Sequence, residues 1–288
     1  MKKELRITKA SGEIATFSEA KLRASLQRAG ATDEQIDLIT DEISSKLYEG
    51  ISTKKIYRLA FNLLKESSRH LAAKYHLKRA IMELGPSGYP FEKFIGEILR
   101  YQGYSIKVGE IVQGHCVQHE IDVLAQMENK LCVIECKYHN RLGIFCDVKI
   151  PLYIQARFKD VEAQWLKSPE QGITKYQGWV VTNTRFSTDA VQYGTCIGLN
   201  LISWDYPVKG SLKDQIDTLG LYPITCLTSL TKNEKEQLLA RKIVLCKEIL
   251  QNEKLLDQIG VKPSRIGTVL SETLQLCEHL ITNKKSKN

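Results

Sequence analysis

The sequence has no apolar run long enough to cross a bilayer, no apolar segment behind its basic first residues, and no CxxC pair. The first lack leaves no candidate membrane helix. The second argues against a secretory signal, because Met1-Lys2-Lys3-Glu4 passes straight into an alternating segment. The third leaves eight cysteines scattered singly in apolar surroundings. They read as buried thiols in a reducing compartment rather than as a disulfide framework. A cytoplasmic protein with no membrane partner is expected. A zinc site built from His115, Cys116, His119 and Cys132 or Cys136 is the alternative use of these residues. No CxxC pair supports it, and Cys136 should point away from the face that carries Asp122. The net charge of +8 suits an anionic partner such as nucleic acid. Many soluble proteins are equally basic, so charge alone assigns nothing.

What is present is concentrated between His119 and His139, in HEIDVLAQMENKLCVIECKYH. Ile121–Ala125 and Leu131–Ile134 have the character of strands, and a hairpin through Met127-Glu128-Asn129-Lys130 would set Asp122 across from Glu135. Alternate residues of a strand share a face, so Glu135 and Lys137 point together and Cys136 points away. Two carboxylates and an ammonium then converge at the ends of apolar strands. Carboxylates suit a partial Mg²⁺ shell that leaves room for water and phosphate oxygens, and a lysine nearby can hold the water or the phosphate. An ordinary cross-strand salt bridge is the competing reading.

The chain of 288 residues is long enough for two or three domains. Residues 5–17 predict a hairpin with its turn at Ala10-Ser11-Gly12-Glu13. Ser18 then caps a helix that Gly30 ends. Helices are expected over 33–47, after the Gly50-Ile51-Ser52-Thr53 break, and over 72–84. Leu84-Gly85-Pro86-Ser87-Gly88-Tyr89-Pro90 has the composition of a linker. Beyond it the spacing predicts a helix over 91–101 and strands over 104–112, 119–126 and 130–137. A helix over 147–166, a strand over 178–182, a helix over 187–197 and a strand over 199–203 follow, an order that indicates an α/β domain with a mixed sheet. From Leu212 onward the chain reads as nearly all helix, with amphipathic stretches over 234–251 and 266–281. A basic tail, Lys284-Lys285-Ser286-Lys287, reads as a solvated end.

The segments ITKASGEIATFSEAKLRASLQRAGA, YEGISTKKI and AAKYHLKRAI resemble an ATP-cone, a nucleotide-sensing module found in many ribonucleotide reductases and in a bacterial repressor. The resemblance spans about residues 3–84. It implies that Lys9 and Lys21 meet phosphates, with Ser18 and Thr53 near the nucleotide. A capped helix N-terminus at Ser18 suits an anion for its own physical reasons. The family often has Arg after the hairpin lysine, where this chain has Ala10, which bears on affinity and on the choice between ATP and dATP.

PFEKFIGEILRYQGYSIKV, HEIDVLA and CVIECKYH together resemble the Mrr-type branch of the PD-(D/E)xK nucleases, over roughly residues 90–140 and more loosely to 206. The resemblance implies a metal site of Asp122, Glu135 and Glu92, with Lys137 completing the catalytic set and the Cys136 carbonyl as a further ligand. Glu92 precedes Gly103 by the family's interval of eleven residues. Glu97 is the competing candidate, and Glu120 is expected to face the other way. Gln155 and Arg157 sit on a helix that could approach DNA, though an ordinary helix surface is the default reading. A Gln-x-x-x-Tyr element known in some relatives is not evident after Lys137.

Together these imply an α/β protein: a mostly helical ATP-cone with an N-terminal hairpin over 1–84, a linker over 85–90, a restriction endonuclease-like domain with a mixed sheet over 91–208, and a helical C-terminal region over 209–288. The expected function is Mg²⁺- or Mn²⁺-dependent DNA cleavage under control of ATP or dATP, in a homo-oligomer. The alternatives are a nucleotide-sensing DNA-binding regulator that does not cut, and a nuclease for RNA or branched DNA.

Overall fold

The computed structural model describes residues 5–9, 12–141, 143–167 and 172–277. Ala10, the stretch 278–281 expected to finish the last helix, and the Lys284–Lys287 tail lie outside the described residues. The chain forms two compact units. One holds Met1–Ala80, Tyr222–Leu238 and Cys246–Asn288; the other holds Ile81–Leu221 and Leu239–Leu245.

The first unit opens with the expected hairpin, β1 (Arg6–Thr8) antiparallel to β2 (Ile14–Thr16). Ser18 caps α1 (Glu19–Arg28), its hydroxyl accepting the Lys21 N–H. Thr32 and Gln35 close a capping box on α2 (Asp33–Ser45). The Gly50–Thr53 break does more than end a helix. Ile51–Ser52 forms β3, which adds to β1 in parallel and makes a three-stranded sheet in the order β2-β1-β3. Ser52 then caps α3 (Thr53–Ser67), and α4 (Arg69–Met82) follows. Leu22 and Leu26 of α1, Ile36, Ile39 and Ile43 of α2, and Ile56, Ala60 and Leu64 of α3 recur at helical spacing and close on Ile7 and Ile51 as one core.

The second unit begins at α5 (Tyr89–Tyr101), whose buried face is Phe91, Phe94, Ile95, Ile98 and Leu99. Gly96 lets this helix lie close on the sheet: a Cβ there would come within 2.8 Å of Ile106. Strands β4 (Ser105–Gln113), β5 (Gln118–Met127) and β6 (Lys130–Lys137) form an antiparallel meander. The β5–β6 hairpin turns on Glu128 and Asn129, with Glu128 at φ +53. After β7 (Phe145–Cys146) come α6 (Lys149–Trp165), β8 (Lys175–Thr182), β9 (Arg185–Phe186), α7 (Thr188–Cys196), β10 (Asn200–Ile202) and α8 (Leu212–Leu219). The sheet order is β10-β8-β6-β5-β4, with β6, β8 and β10 parallel, so the expected mixed sheet is present. The pair β7 and β9 forms a separate two-stranded element that the sequence did not signal.

The C-terminal region is helical as expected, with one correction. The helix foreseen over 234–251 is two, α9 (Lys232–Ala240) and α10 (Cys246–Gln251). Lys242, at φ +62, breaks it, and Val244 and Leu245 turn into the interior instead of continuing the helix. Next come α11 (Lys254–Gln258) and α12 (Pro263–Cys277). Within the first unit, Arg265 pairs with Glu234 at 2.6 Å, and the buried Glu272 accepts the backbone N–H groups of Thr228 and Ser229, each at 2.8 Å. Among the described residues no helix is long and apolar enough to cross a membrane.

Candidate functional site

The site of most chemical interest lies where β5 and β6 stop pairing. Their ladder runs from Met127↔Lys130 to Val123↔Ile134 and ends there. Continued by one residue, that register would oppose Asp122 to Glu135. Asp122 instead turns its carboxylate to the backbone: Oδ2 accepts the Cys136 N–H at 2.7 Å. On its other flank the β4–β5 ladder also skips Asp122, passing from Val108↔Val123 to Glu110↔Ile121. The residue opposite is Gly109, at φ +70, with open space where a Cβ would stand. Both neighbours thus leave the ladder at the aspartate. Glu135 and Lys137 share a face of β6, their side chains 3.5 Å apart, while Cys136 is buried.

The carboxyl groups here oppose each other's ionisation. Glu92, in the first turn of α5, is pushed up to about 7, mainly by burial and then by the charges of Asp122, Glu120 and Glu135. Asp122 is pushed up to about 6 by burial and by Glu135, against the pull of the Cys136 N–H, Arg157 and Lys137. Glu92 therefore shares the neighbourhood of Asp122 and Glu135, whereas Glu97 pairs with Arg100 at 3.5 Å. Glu120, expected to face away from Asp122, nevertheless adds its charge to the surroundings of Glu92.

Arg157, expected on an ordinary helix surface, belongs to this site instead. Its Nη1 donates to Glu135 Oε2 at 2.7 Å, and the two side chains are only 14% and 12% exposed. Gln155, on the other flank of α6, keeps its carbonyl oxygen buried without a hydrogen-bond partner. Among the described residues no three His, Cys, Asp or Glu side chains stand close enough to grip a metal ion unaided. The set Asp122, Glu135 and Glu92 is thus not a ready-made cage. Its donor chemistry does suit a hard cation, which takes one or two carboxylates and fills the rest with water and phosphate oxygens. The zinc alternative fails on placement. His119 is held by Asp160 at 2.8 Å, His115 faces Lys167 at 2.6 Å, and burial pushes the Cys132 thiol up to about 11.

The nucleotide-site candidates lie in the first unit. Thr8 pairs with Ser52, so Lys9 and Thr53 leave the same end of the β1–β3 pair. The exposed Lys9 ammonium rests on Glu13 at 2.9 Å. Ser18 and Lys21 enter from the other end of β1, where the Phe17 N–H donates to the Leu5 carbonyl. By backbone position, Lys9 and Thr53 thus stand at one end of the small sheet and Ser18 and Lys21 at the other. The Tyr75-x-x-x-Arg79 pattern has a visible role. Tyr57 stacks on Tyr75 at 5.2 Å, its hydroxyl meets His76 Nδ1 at 2.6 Å, and the Arg79 guanidinium covers its ring at 3.7 Å. This clasp fastens α3 to α4.

The ATP cone domain family matches residues 5–83, and the family described as AF1548-like, C-terminal, matches residues 222–277. A protein of Archaeoglobus fulgidus described as uncharacterized is 35% identical over 179 residues, 62% of this chain and 97% of that protein. The crystal structure of AF1548, a protein of unknown function, aligns at 33% identity and a TM-score of 0.55, covering 67% of this chain and 99% of that one. The chain belongs to the AF1548-like family. This AF1548-like protein carries an ATP-cone, a nucleotide-sensing regulatory domain, over residues 5–83. The MspJI restriction endonuclease in complex with a 27-mer oligonucleotide aligns at 13% identity and a TM-score of 0.29, over 68% of this chain and 39% of that one, too distant to argue from.

Proposed function

We propose that this AF1548-like protein is a metal-dependent DNA endonuclease of the PD-(D/E)xK class whose activity or assembly answers to ATP or dATP at the ATP-cone. One observation carries the reading: Asp122, Glu135, Lys137 and Glu92 are neighbours where β5 stops pairing with β6, with two of the carboxyls pushed up by burial and mutual repulsion. Carboxylates held together against their own repulsion favour a positively charged partner. In this reading Asp122 and Glu135, with Glu92, hold Mg²⁺ or Mn²⁺. The bound ion would acidify a water and offset charge developing on the phosphate.

The remaining work falls to the chain itself. The Cys136 N–H fixes one oxygen of Asp122 and leaves the other for the cation or its water. Lys137 Nζ sits beside Glu135 and can orient the attacking water or grip the scissile phosphate. Glu92, held among the charges of Asp122, Glu120 and Glu135, would complete the carboxylate set that faces the ion.

The test incubates plasmid, linear, branched and single-stranded DNA, and RNA, with Mg²⁺ or Mn²⁺, with and without ATP. Cleavage by the full chain that disappears in Lys137→Ala supports the reading. No cleavage of any substrate, or equal cleavage by the variant, sinks it. Arg157 on Glu135 favours a second reading, a nucleotide-sensing DNA-binding regulator that does not cut. Metal-independent DNA binding without cleavage would select it. For the first unit, titration calorimetry with ATP and dATP should show binding that weakens at least about tenfold in Lys9→Ala/Lys21→Ala. Sizing with and without nucleotide tests the proposed nucleotide-dependent homo-oligomer.

A further inference from the structure

We propose that Arg157 is a positioning residue that holds Glu135 while the site lacks metal and releases it when a divalent cation loads, leaving its guanidinium to meet a substrate phosphate. The inference rests on the nuclease reading and adds an order of events to it. Both oxygens of Glu135 face cations of this chain: Oε2 takes the Arg157 Nη1 at 2.7 Å and Oε1 lies 3.5 Å from Lys137 Nζ. A divalent ion cannot use Glu135 fully while Arg157 holds it, because the guanidinium fills the same side of the carboxylate. A buried ion pair also resists being broken unless a new charge takes the vacated place. Here the incoming ion is that charge, so exchange is the economical path and simple loss of Arg157 is not.

The helix makes such an exchange practicable. Ile154, Phe158 and Val161 of α6 are buried, Phe158 and Val161 against Ile121 and Val133 of the sheet. The backbone beneath Arg157 is therefore anchored while its long side chain can turn. While it holds Glu135 the guanidinium also lies over an aromatic face that it would keep on release: its Cζ is 5.9 Å from the ring of Tyr153, one helical turn back and 60% exposed. A guanidinium resting over an exposed ring keeps its planar N–H groups free for two-point contact with a phosphate. Arg157 would thus compete with metal in the empty site and cooperate with it in the loaded one.

A merely structural arginine predicts the opposite sign from a competing one, so metal affinity decides the matter. Full-length protein and Arg157→Met are titrated calorimetrically with Mn²⁺, and DNA binding is followed by fluorescence anisotropy in Ca²⁺. Arg157→Met should bind Mn²⁺ about tenfold more tightly than the natural chain and bind DNA more weakly. Arg157→Lys, which keeps the charge but not the fork, should lie between the two, and it carries the test if the methionine variant does not fold. Equal or weaker Mn²⁺ binding by the folded variant overturns the exchange while leaving the nuclease reading intact. Absence of Mn²⁺ binding in the natural chain removes the nuclease reading, and the exchange with it.

Discussion

Strand β5 carries two aspartate-centred environments that behave in opposite ways, and α6 supplies a partner to each. At one end Asp160 of α6 gathers the ring of His119, the Cys116 N–H at 2.8 Å and the Val117 N–H at 3.3 Å. With three donors converging on it, led by His119, its carboxyl is held well below the usual range. Three residues along, Asp122 has a single backbone donor and a carboxylate neighbour, and it is pushed up to about 6. The first arrangement is a finished structural joint, pinning the β4–β5 loop to the helix. The second is crowded with like charge, which Arg157 and Lys137 offset only in part. The same residue type, once on α6 and once on β5, thus separates into a tie and a site according to its donors.

The sharpest way to break this contrast is to remove the cation beside the crowded site. Lys137→Ala should lower cleavage by about 10²–10³-fold, whereas Asp160→Asn should leave the chemistry nearly intact. Equal losses in the two variants would erase the distinction. The next test uses pH. Glu92 and Asp122 bind protons more tightly folded than unfolded, so their contribution to stability is complete below the ordinary carboxylate range and is lost as pH rises towards about 7. Asp122→Asn should therefore stabilise the metal-free protein at pH 8 by about 1–2 kcal/mol in urea unfolding, less than the whole shift implies because water reaches part of the group. The gain should vanish at pH 4. A destabilised Asp122→Asn at pH 8 would show that its hydrogen bond to Cys136 outweighs the repulsion.

Asp160 has the reverse sign. Its carboxyl is held down in the fold, so its contribution is present above the ordinary carboxylate pKa and fades as pH falls. Asp160→Ala should lower the melting temperature at pH 7 and narrow its deficit in acid. A constant deficit at all pH values would mean that packing, not charge, fixes the loop. The smallest effect is expected in the first unit, where Tyr57→Leu removes the ring between Tyr75 and Arg79 and should cost about 1 kcal/mol, read as a shift in the urea midpoint.

Much of this was legible because the rules involved are local. Alternation along 121–125 and 131–137 foretold the hairpin and the shared face of Glu135 and Lys137. The spacing of Phe91, Phe94, Ile95, Ile98 and Leu99 foretold α5 and its buried face. Arg157 was missed because its role depends on how α6 is rotated over the sheet. Ile154, Phe158 and Val161 set that rotation, and their spacing was the signal available. The two-residue strands β3, β7 and β9 have no periodicity to read and exist only through distant partners. The break at Lys242 carries neither glycine nor proline to announce it.

The first unit is built from stretches that are far apart in the chain. The Thr225 hydroxyl, for example, donates to the Ala80 carbonyl at 2.7 Å in a buried bond. On the ribosome, residues 5–80 emerge well before the helices that complete their unit, while Ile81–Leu221 of the other unit is made in the interval. Folding in order of synthesis would therefore settle the sheet that carries Asp122 and Glu135 before the nucleotide-sensing unit is whole. The sensor, encoded ahead of that sheet, would become whole after it.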